Sequence, residues 1–238
     1  SSQLQDCPST AGARMSRPAR RRRRSTTPPT RCRQMPEGGH LPPPKKEKKT
    51  KYLRRQQEVL DAAAAVIARK GYHGASTTDI AGELGVAQPS LYYYFASKDE
   101  ALEEICRIGT AGYLERLQAI MDGTGATRNK IRDAIRAHIE PVRTIPNYVK
   151  SFQRERRYLP AERRHELGRL IGEYDKLFRL LLESGVSAGD LKPDLDCELA
   201  ALMLITQCNA AQYYVGDDVS LDRTSTAIAD VFLTGAEL

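Results

Sequence analysis

The sequence of 238 residues contains no tryptophan, and its five cysteines and four histidines are too scattered to indicate a metal site. Cys7, Cys32, Cys106, Cys197 and Cys208 form no CxxC pair, and their odd number favours reduced thiols. The histidines fall at unrelated spacings and no HExxH motif is present. We therefore predict neither a metal site nor a cofactor.

Long apolar runs are also missing. A membrane-spanning helix needs about 18 or more apolar residues in a row, and a signal peptide needs an apolar run of about 7–15 residues after its positive charges. Because neither occurs, we expect a cytoplasmic protein without a membrane span. The sequence also lacks a GxSxG nucleophile elbow and a phosphate-binding glycine loop, which argues against an enzyme.

Negative charge is scarce at the start of the chain. Residues 1–51 contain 14 lysines and arginines against three acids, whereas residues 52–238 contain 23 against 27. The stretch RPARRRRRSTTPPTRCRQMPEGGHLPPPKKEKK has almost no aliphatic side chains, so burial cannot offset the entropy lost on ordering. We expect residues 1–50 to form a disordered basic arm, which is either a solvated tail or an arm that binds DNA phosphates.

Helical periodicity dominates the remaining sequence, and no strand alternation accompanies it, so the predicted fold class is all-α. A first helix over residues 51–70 stops at Gly71. Ser76 and Asp79 have the S-x-x-D spacing of a capping box, which begins a short helix that Gly85 ends.

A third helix is predicted to begin at Gln88, with Pro89 at its first position, where a missing N–H removes no helical hydrogen bond. Two short helices joined in this way form a helix-turn-helix. Leu91 and Phe95 lie four residues apart and face the core. Because consecutive helical residues cannot all face one side, we expect the three tyrosines at 92–94 to divide between the surface and the core.

The second half of the chain is predicted to be helical throughout. A fourth helix over residues 98–121 contains Gly109 and Gly112, which indicate either bending or close packing. Further helices are predicted at 129–145, 147–158 and 161–184, with Gly185 ending the last of them. One chain has too little surface to cover the two apolar helices at about 195–215 and 221–234, so we expect each to pair with its copy across a twofold axis.

The segment STTDIAGELGVAQPSLYYYFASKDEAL, preceded by the helix stop KGYHGA, resembles the DNA-binding domain of the TetR family of bacterial transcriptional regulators. The resemblance covers residues 52–102. It implies a three-helix helix-turn-helix domain at 51–99 and a larger helical domain at 100–238 that binds a ligand and dimerises. It also implies a repressor: a small molecule in the helical core moves the fourth helix, and the dimer leaves a palindromic operator.

Residue chemistry assigns roles on this DNA-binding domain. Gln88 can contact adenine through two hydrogen bonds, Pro89 and the Tyr92 ring can rest on thymine methyls, and tyrosine hydroxyls can reach phosphates. Thr77, Thr78 and Lys98 are expected to anchor phosphates. The predicted DNA-contacting residues are Thr77, Thr78, Gln88, Pro89, Ser90, Tyr92, Tyr93, Tyr94 and Lys98. In relatives the position of Thr78 is often arginine, and the arm or Lys51, Arg54 and Arg55 would have to compensate.

The effector is harder to predict from sequence. The residues considered for a ligand pocket are Tyr113, His138, Tyr148, Phe152, Arg157, Tyr158, Tyr174, Phe178 and Gln212, with Tyr213 beside them. The same residues are also what an ordinary core contains. The stretch from Phe152 to Gly185 resembles regulators of fatty-acid, sterol or aromatic catabolism, some of which sense acyl-CoA thioesters. Arginines 154, 156, 157, 163 and 164 would suit CoA phosphates, or they form a solvated helix face.

One alternative function stays open at this point. The arginine-rich arm could make the protein a nonspecific nucleic-acid binder, in which case deletion of residues 1–50 would abolish nearly all binding. A regulator that recognises an operator would keep its sequence preference after the same deletion.

Overall fold

The computed structural model describes residues 46–216 and 220–236, so all but the last five residues of the predicted basic arm lie outside it. The described residues form α-helices and short 3₁₀ helices without a strand, which confirms the all-α class. The α-helices are α1 (Lys46–Lys70), α2 (Thr77–Leu84), α3 (Lys98–Thr110), α4 (Tyr113–Asp122), α5 (Thr127–Thr144), α6 (Pro146–Glu155), α7 (Ala161–Ser187), α8 (Cys197–Ala210) and α9 (Leu221–Ala236). The 3₁₀ helices are Gln88–Tyr93, Arg156–Tyr158 and Ala211–Tyr213. In this part of the chain, no helix has the length and apolarity that crossing a membrane requires.

The boundaries of α1 and α2 follow the sequence. Gly71 has φ of +75° and ends α1. The Ser76 hydroxyl accepts the N–H of Asp79, and the Asp79 carboxylate accepts the N–H of Ser76, each at 3.0 Å. Gly85 ends α2 in the left-handed region with φ of +64°, where a glycine has no Cβ to clash. The capping box and both glycine stops are confirmed.

Two hydrophobic cores organise these helices. The first core joins α1, α2, the Gln88–Tyr93 helix and the inner face of α3, and it includes Val59, Leu60, Val66, Ile67, Ile80, Leu91, Phe95, Ala101 and Ile105. The second core joins α4, α5, α7, α8 and α9 around Ile131, Ile135, Tyr174, Phe178, Leu181, Leu204, Cys208 and Leu233. A small cluster lies beside α3, where Leu102 and Cys106 pack with Leu159 and Leu167.

Two helix boundaries near the first core differ from the prediction. α1 begins at Lys46, so residues 46–50 belong to a helix and not to the arm. The predicted fourth helix is interrupted, because α3 ends at Thr110 and α4 begins at Tyr113. Gly112 between them has φ of +75°, and a Cβ there would lie 2.6 Å from Nη1 of Arg116. Gly112 therefore breaks the helix and does not merely bend it.

A third difference concerns α7. Gly185 does not end this helix, which continues to Ser187. Gly185 is buried, and a Cβ there would lie 2.6 Å from the methyl of Thr127 and 2.8 Å from Cδ1 of Leu191. Its role is close packing within the helix. The chain leaves α7 at Gly189, which has φ of +75°.

Gly109 is also a packing site. It is buried in the last turn of α3, and a Cβ there would lie 3.1 Å from Cβ of Phe152 and 3.2 Å from the carbonyl oxygen of Tyr148 on α6. These distances are tighter than ordinary van der Waals contact, so α3 and α6 approach closely because no side chain separates them. Of the two roles considered for the glycine pair, packing applies to Gly109 and a change of chain direction to Gly112.

We predict that Gly109→Ala lowers the free energy of unfolding by about 1–3 kcal/mol, because the added methyl group overpacks the contact between α3 and α6. Gly168→Ala is the matched control, since Gly168 lies within α7 and no atom lies within 4 Å of its missing Cβ. That control should raise stability by about 0.5–1 kcal/mol. Urea unfolding at fixed protein concentration measures both changes. A Gly109→Ala protein as stable as the wild type would contradict the packing role.

Candidate functional site

The Gln88–Tyr93 segment is a 3₁₀ helix and not the predicted α-helix. Its six residues are held by short-range bonds, such as that from the Ser90 N–H to the carbonyl of Ala87 at 2.9 Å, and Pro89 stands in its first turn. Such short helices are common as connectors. Leu91 and Phe95 are buried in the first core as predicted, so the segment still presents one apolar and one exposed side.

The three consecutive tyrosines divide as the sequence predicts. Tyr92 and Tyr93 are 50% and 71% exposed, whereas Tyr94 is half-buried against the first core. Tyr52 of α1 adds to this group: its ring stacks on Tyr94 and meets Tyr93 edge-on, with centroids 5.6 Å apart in each case. Sequence reasoning missed Tyr52, because the contact joins distant parts of the chain.

Gln88 is oriented by two threonines at the start of α2. Its Nε2 donates to Oγ1 of Thr77 at 2.7 Å, and its Oε1 accepts from Oγ1 of Thr78 at 3.2 Å. A primary amide has two N–H donors and two lone pairs on oxygen, so one of each stays available. Those are the groups that a two-bond contact to adenine requires. The structure thus brings Thr77, Thr78 and Gln88 together.

Lys98 makes contacts within the protein that the sequence did not suggest. Its ammonium group, expected on a DNA phosphate, donates to the carbonyls of Tyr72 and Ala75 at 2.8 and 3.0 Å and lies 4.3 Å from the centre of the Tyr72 ring. Lys98 therefore joins the start of α3 to the turn between α1 and α2. The sequence does not show these contacts, because the two carbonyls lie in another turn of the chain.

The basic residues of α1 near the Gln88–Tyr93 segment and the start of α2 are mostly in ion pairs. Arg54 and Arg55 lie 3.5 and 2.6 Å from the carboxylate of Glu58. Lys70 lies 2.6 Å from Asp79, and this contact, helped by the hydroxyl and N–H of Ser76, lowers the pKa of Asp79 to about 2. These charges are therefore less available to phosphates than their number suggests.

A cavity of about 330 Å³ lies between the break after α3 and helices α4 to α8. Four of the nine residues predicted for a ligand pocket line it, namely Tyr113, His138, Phe152 and Tyr174. The residues that sequence reasoning missed include Thr110, Ala111 and Gly112 at the break, the apolar Leu114, Leu170, Ile171 and Ile205, and the polar Arg107, Glu115, Gln153, Asp175 and Asn209.

The other five predicted residues lie elsewhere. Tyr148 belongs to the first core, and its hydroxyl donates to Asp61. Phe178 is fully buried in the second core. Tyr158 stacks on Tyr72 outside the cavity.

Arg157 and Gln212 also lie outside the cavity lining. Arg157 is exposed, with its guanidinium 4.8 Å from the ring of Tyr158. Gln212 lies behind the cavity wall, where its amide donates to Gln153. Tyr213 is exposed. Of the five arginines considered for CoA phosphates, Arg156 lines the cavity, and Arg163 forms ion pairs on the surface of α7.

A connected set of polar side chains forms one wall of the cavity. Nδ1 of His138 lies 2.9 Å from the hydroxyl of Tyr174, and Nε2 lies 3.3 Å from Oδ1 of Asn209. Oδ1 of Asn209 also accepts from Gln153 at 3.1 Å. With Asn209 as acceptor, Nε2 carries the proton of a neutral imidazole and Nδ1 accepts from Tyr174. The wall is thus polar and uncharged.

Charged side chains lie where the cavity opens. Arg107 and Arg156 both line it and are exposed, and the Arg156 guanidinium lies 5.0 Å from the centre of the Phe152 ring. Asp175 and Glu115 also line the cavity, and burial raises the pKa of the Asp175 carboxyl. A bound molecule would therefore meet apolar and neutral polar groups along most of the cavity, and the charges of the two arginines are balanced by those of Glu115 and Asp175 in the same lining.

We predict that His138 makes stability depend on pH. Burial lowers its pKa to about 4 from 6.5, although the hydrogen bond with Asn209 opposes this shift. Below pH 6.5 the unfolded chain binds a proton that the folded protein refuses, so stability should fall by about 1.4 kcal/mol per pH unit and by about 3 kcal/mol down to pH 4. Urea unfolding between about pH 7.5 and 4 measures the slope.

The matched variant is His138→Gln, which keeps every other titrating group. The difference between its pH profile and that of the wild type isolates His138. The wild type should lose more stability than the variant between pH 6.5 and 4. Parallel profiles would contradict a buried neutral histidine.

Comparisons with known proteins agree with this arrangement. The model described as bacterial regulatory proteins, tetR family, matches residues 59–105, and that described as tetracyclin repressor-like, C-terminal domain, matches residues 124–233. The HTH-type transcriptional repressor KstR2 of Rhodococcus jostii (strain RHA1) is 30% identical over 177 residues, 71% of this chain and 85% of that protein. The fatty acid metabolism regulator protein of Bacillus subtilis (strain 168) is 28% identical over 139 residues, 58% of this chain and 72% of that protein.

Solved structures share the fold. The ketosteroid transcriptional regulator KstR2 of Mycobacterium tuberculosis superposes with a TM-score of 0.73 at 24% identity, covering 77% of this chain and 95% of that one. FadR from Bacillus subtilis, solved in complex with stearoyl-CoA, has a TM-score of 0.60 at 25% identity, covering 75% of this chain and 98% of that one. The chain belongs to the TetR family of bacterial transcriptional regulators.

Proposed function

We propose that this protein is a repressor that leaves a palindromic operator when a lipophilic acid, carried as its coenzyme A thioester, binds the cavity. As a member of the TetR family it is a DNA-binding transcriptional regulator and not an enzyme. The family match favours recognition of an operator by the helix-turn-helix over nonspecific binding by the basic arm.

The observation that carries this proposal is the position of the cavity at the end of α3. Thr110, Ala111 and Gly112 line the cavity, while Ala101 and Ile105 on the same helix pack in the first core beneath the DNA-binding surface. A ligand shifts an equilibrium only by binding two conformations unequally. A molecule that favours a displaced end of α3 would therefore weaken operator binding.

The lining of the cavity favours an acyl thioester. Leu114, Ile171 and Ile205 offer apolar contact, and the exposed guanidinium group of Arg156 suits phosphate oxygens at the opening. The guanidinium of Arg107 lines the cavity as well but already pairs with Glu104. FadR of Bacillus subtilis, a relative, was solved with stearoyl-CoA. The cavity volume of about 330 Å³ is near the lower end of ligand pockets, about 300–1,000 Å³, which favours a short or compact acyl group.

The last two helices supply a surface for dimerisation. Leu199, Leu202 and Met203 lie on one side of α8 and are about half exposed, and Val231 of α9 is 68% exposed. We infer that this apolar surface pairs with its copy about a twofold axis, because monomers rarely expose such patches. A symmetric dimer presents the Gln88–Tyr93 helix twice, so the operator should contain inverted half-sites.

Selection from a random-sequence duplex library tests the DNA-binding half of the proposal. The wild type should enrich an inverted repeat that includes a preferred adenine. Gln88→Ala should weaken binding to that duplex by about 1–3 kcal/mol and relax the adenine preference, because one base contact is lost. Binding of fluorescent duplexes measures both effects.

Gln118→Ala is the control for this experiment, since Gln118 is exposed on α4 and bonds Asp122 of the same helix. It should bind the selected duplex as the wild type does. An unchanged adenine preference in Gln88→Ala would contradict the base contact. A selected sequence without inverted symmetry would contradict the dimer.

Calorimetry with octanoyl-CoA and stearoyl-CoA tests the effector. At least one thioester should bind the protein and cause it to release the selected duplex. Coenzyme A alone should do neither, because it cannot fill the apolar interior. Arg156→Gln should weaken thioester binding about tenfold, the value of one charge-assisted contact to phosphate.

Arg157→Gln is the matched control, because Arg157 is the next residue and does not line the cavity. It should bind the thioester within about twofold of the wild type. Equal losses in the two variants would contradict a phosphate contact by Arg156. No binding of either thioester at high concentration would contradict the effector class.

A further inference from the structure

Helix α6 and the 3₁₀ turn after it have two working faces. Phe152, Gln153 and Arg156 line the cavity. The residues that contact the DNA-binding unit are Tyr148, Ser151, Glu155 and Tyr158. These four follow steps of three and four residues, which places them on one side of a helix. We call this side the α6 seam.

The first half of the α6 seam bonds the body of α1. The hydroxyl of Tyr148 donates to Asp61 at 2.7 Å and accepts from Gln57 at 2.9 Å. The hydroxyl of Ser151 donates to the carbonyl of Ala64 at 3.2 Å. These bonds fix α6 along the middle of α1.

The second half of the α6 seam holds the turn between α1 and α2. Glu155 is 8% exposed, and its Oε2 accepts the backbone N–H of Tyr72 at 3.0 Å. Within residues 46–216 and 220–236 it has no ion-pair partner, so this N–H is the donor that offsets part of the cost of burying the carboxylate. The Tyr158 ring stacks on Tyr72 at 5.6 Å and meets His73 edge-on at 4.3 Å.

The turn that Glu155 holds leads directly into α2. Lys98 fastens the other side of it by donating to the carbonyls of Tyr72 and Ala75. Ser76, the cap of α2, follows directly. The next two residues are the threonines that orient the Gln88 amide. A displacement of the turn would therefore reach the DNA-contacting groups within a few residues.

We propose that Glu155 is a positioning residue for DNA binding: its carboxylate holds the α1–α2 turn against the segment that lines the cavity, so that a molecule in the cavity displaces the start of α2. The effector half of this inference rests on the proposed function. The positioning half rests on the contacts of Glu155 alone. The carboxylate itself touches neither DNA nor effector and acts through the backbone of Tyr72.

The test compares Glu155→Ala, Glu155→Gln and Ser151→Ala as full chains. Glu155→Ala removes the acceptor and should weaken binding to the selected duplex about tenfold, as expected for a lost bond to a charged group. Glu155→Gln keeps an acceptor oxygen and should bind within about threefold of the wild type. Ser151→Ala removes a bond of the same seam to the body of α1 and should also bind as the wild type does.

Amide hydrogen exchange separates positioning from loss of folding. In Glu155→Ala the Tyr72 amide should exchange at least about tenfold faster, because its acceptor is gone. The Ala75 amide, which donates to the carbonyl of Gly71, should keep its protection. Urea unfolding of all three variants identifies any general loss of stability.

The effector half is read from the ratio of duplex dissociation constants with and without octanoyl-CoA or stearoyl-CoA. In Glu155→Ala this ratio should fall at least about fivefold, while the thioester affinity of the free protein stays within about twofold, because the cavity face is intact. A wild-type ratio in Glu155→Ala would overturn the relay. Equal loss of duplex affinity in Glu155→Ala and Glu155→Gln, or in Glu155→Ala and Ser151→Ala, would overturn positioning by this hydrogen bond.

Failure of the proposed function has a different outcome. If neither thioester binds the wild type, the effector class is wrong, and with it the relay from an acyl thioester. The duplex affinities and the Tyr72 amide exchange still decide whether Glu155 positions the turn.

Discussion

Helix α3 has to be buried on two sides, and the rest of the structure depends on this constraint. Ala101 and Ile105 complete the core beneath the DNA-binding surface, whereas Leu102 and Cys106 pack with residues of the C-terminal half. Gly109 then allows α6 to lie directly against the same helix. Because packed interiors do not deform continuously, α3 cannot shift at its cavity end while every contact of the DNA-binding unit stays unchanged.

The electrostatics of the cavity follow from burial. Burial raises the pKa of Tyr113 to about 12 and lowers that of His138 to about 4, so both are neutral near pH 7. Their hydrogen bonds are made within the protein, which holds the wall in one arrangement before any ligand enters. Of the charged side chains that line the cavity, Arg107, Glu115 and Arg156 are exposed and Asp175 is partly buried. A neutral wall of this kind suits the apolar part of a ligand, and the charged part of a ligand would lie at the opening.

The sequence predicted those features that depend on near neighbours in the chain. The capping box at Ser76, the stop at Gly71 and the burial of Leu91 and Phe95 follow from spacing and conformational preference, and each is confirmed. The all-α class followed from periodicity in the same way.

Features that depend on tertiary contacts could not be predicted from the sequence. An aromatic residue on the apolar face of a helix has the same sequence pattern whether it lines a cavity or packs in a core. The sequence therefore predicts Phe178 and Tyr148 as pocket residues together with Tyr113, although only Tyr113 lines the cavity. Gln153 and Asn209 belong to no sequence motif. They line the cavity together because α6 and α8 meet there, where the Gln153 amide donates to Asn209. The carbonyl partners of Lys98 lie in another turn of the chain, so its sequence position does not indicate them.

The cavity and the helix-turn-helix share neighbouring elements in this architecture. Coupling between sites is often drawn as a long path of side chains, for which evidence is hard to obtain. Here two wall elements of the cavity, the end of α3 and the α6 segment, each place their other side on the DNA-binding unit. Under the proposed function, a change in the cavity would reach the helix-turn-helix through a single helix or segment. In a symmetric dimer the same displacement would occur in both protomers. The distance between the two Gln88–Tyr93 segments would then change by the sum of the two displacements.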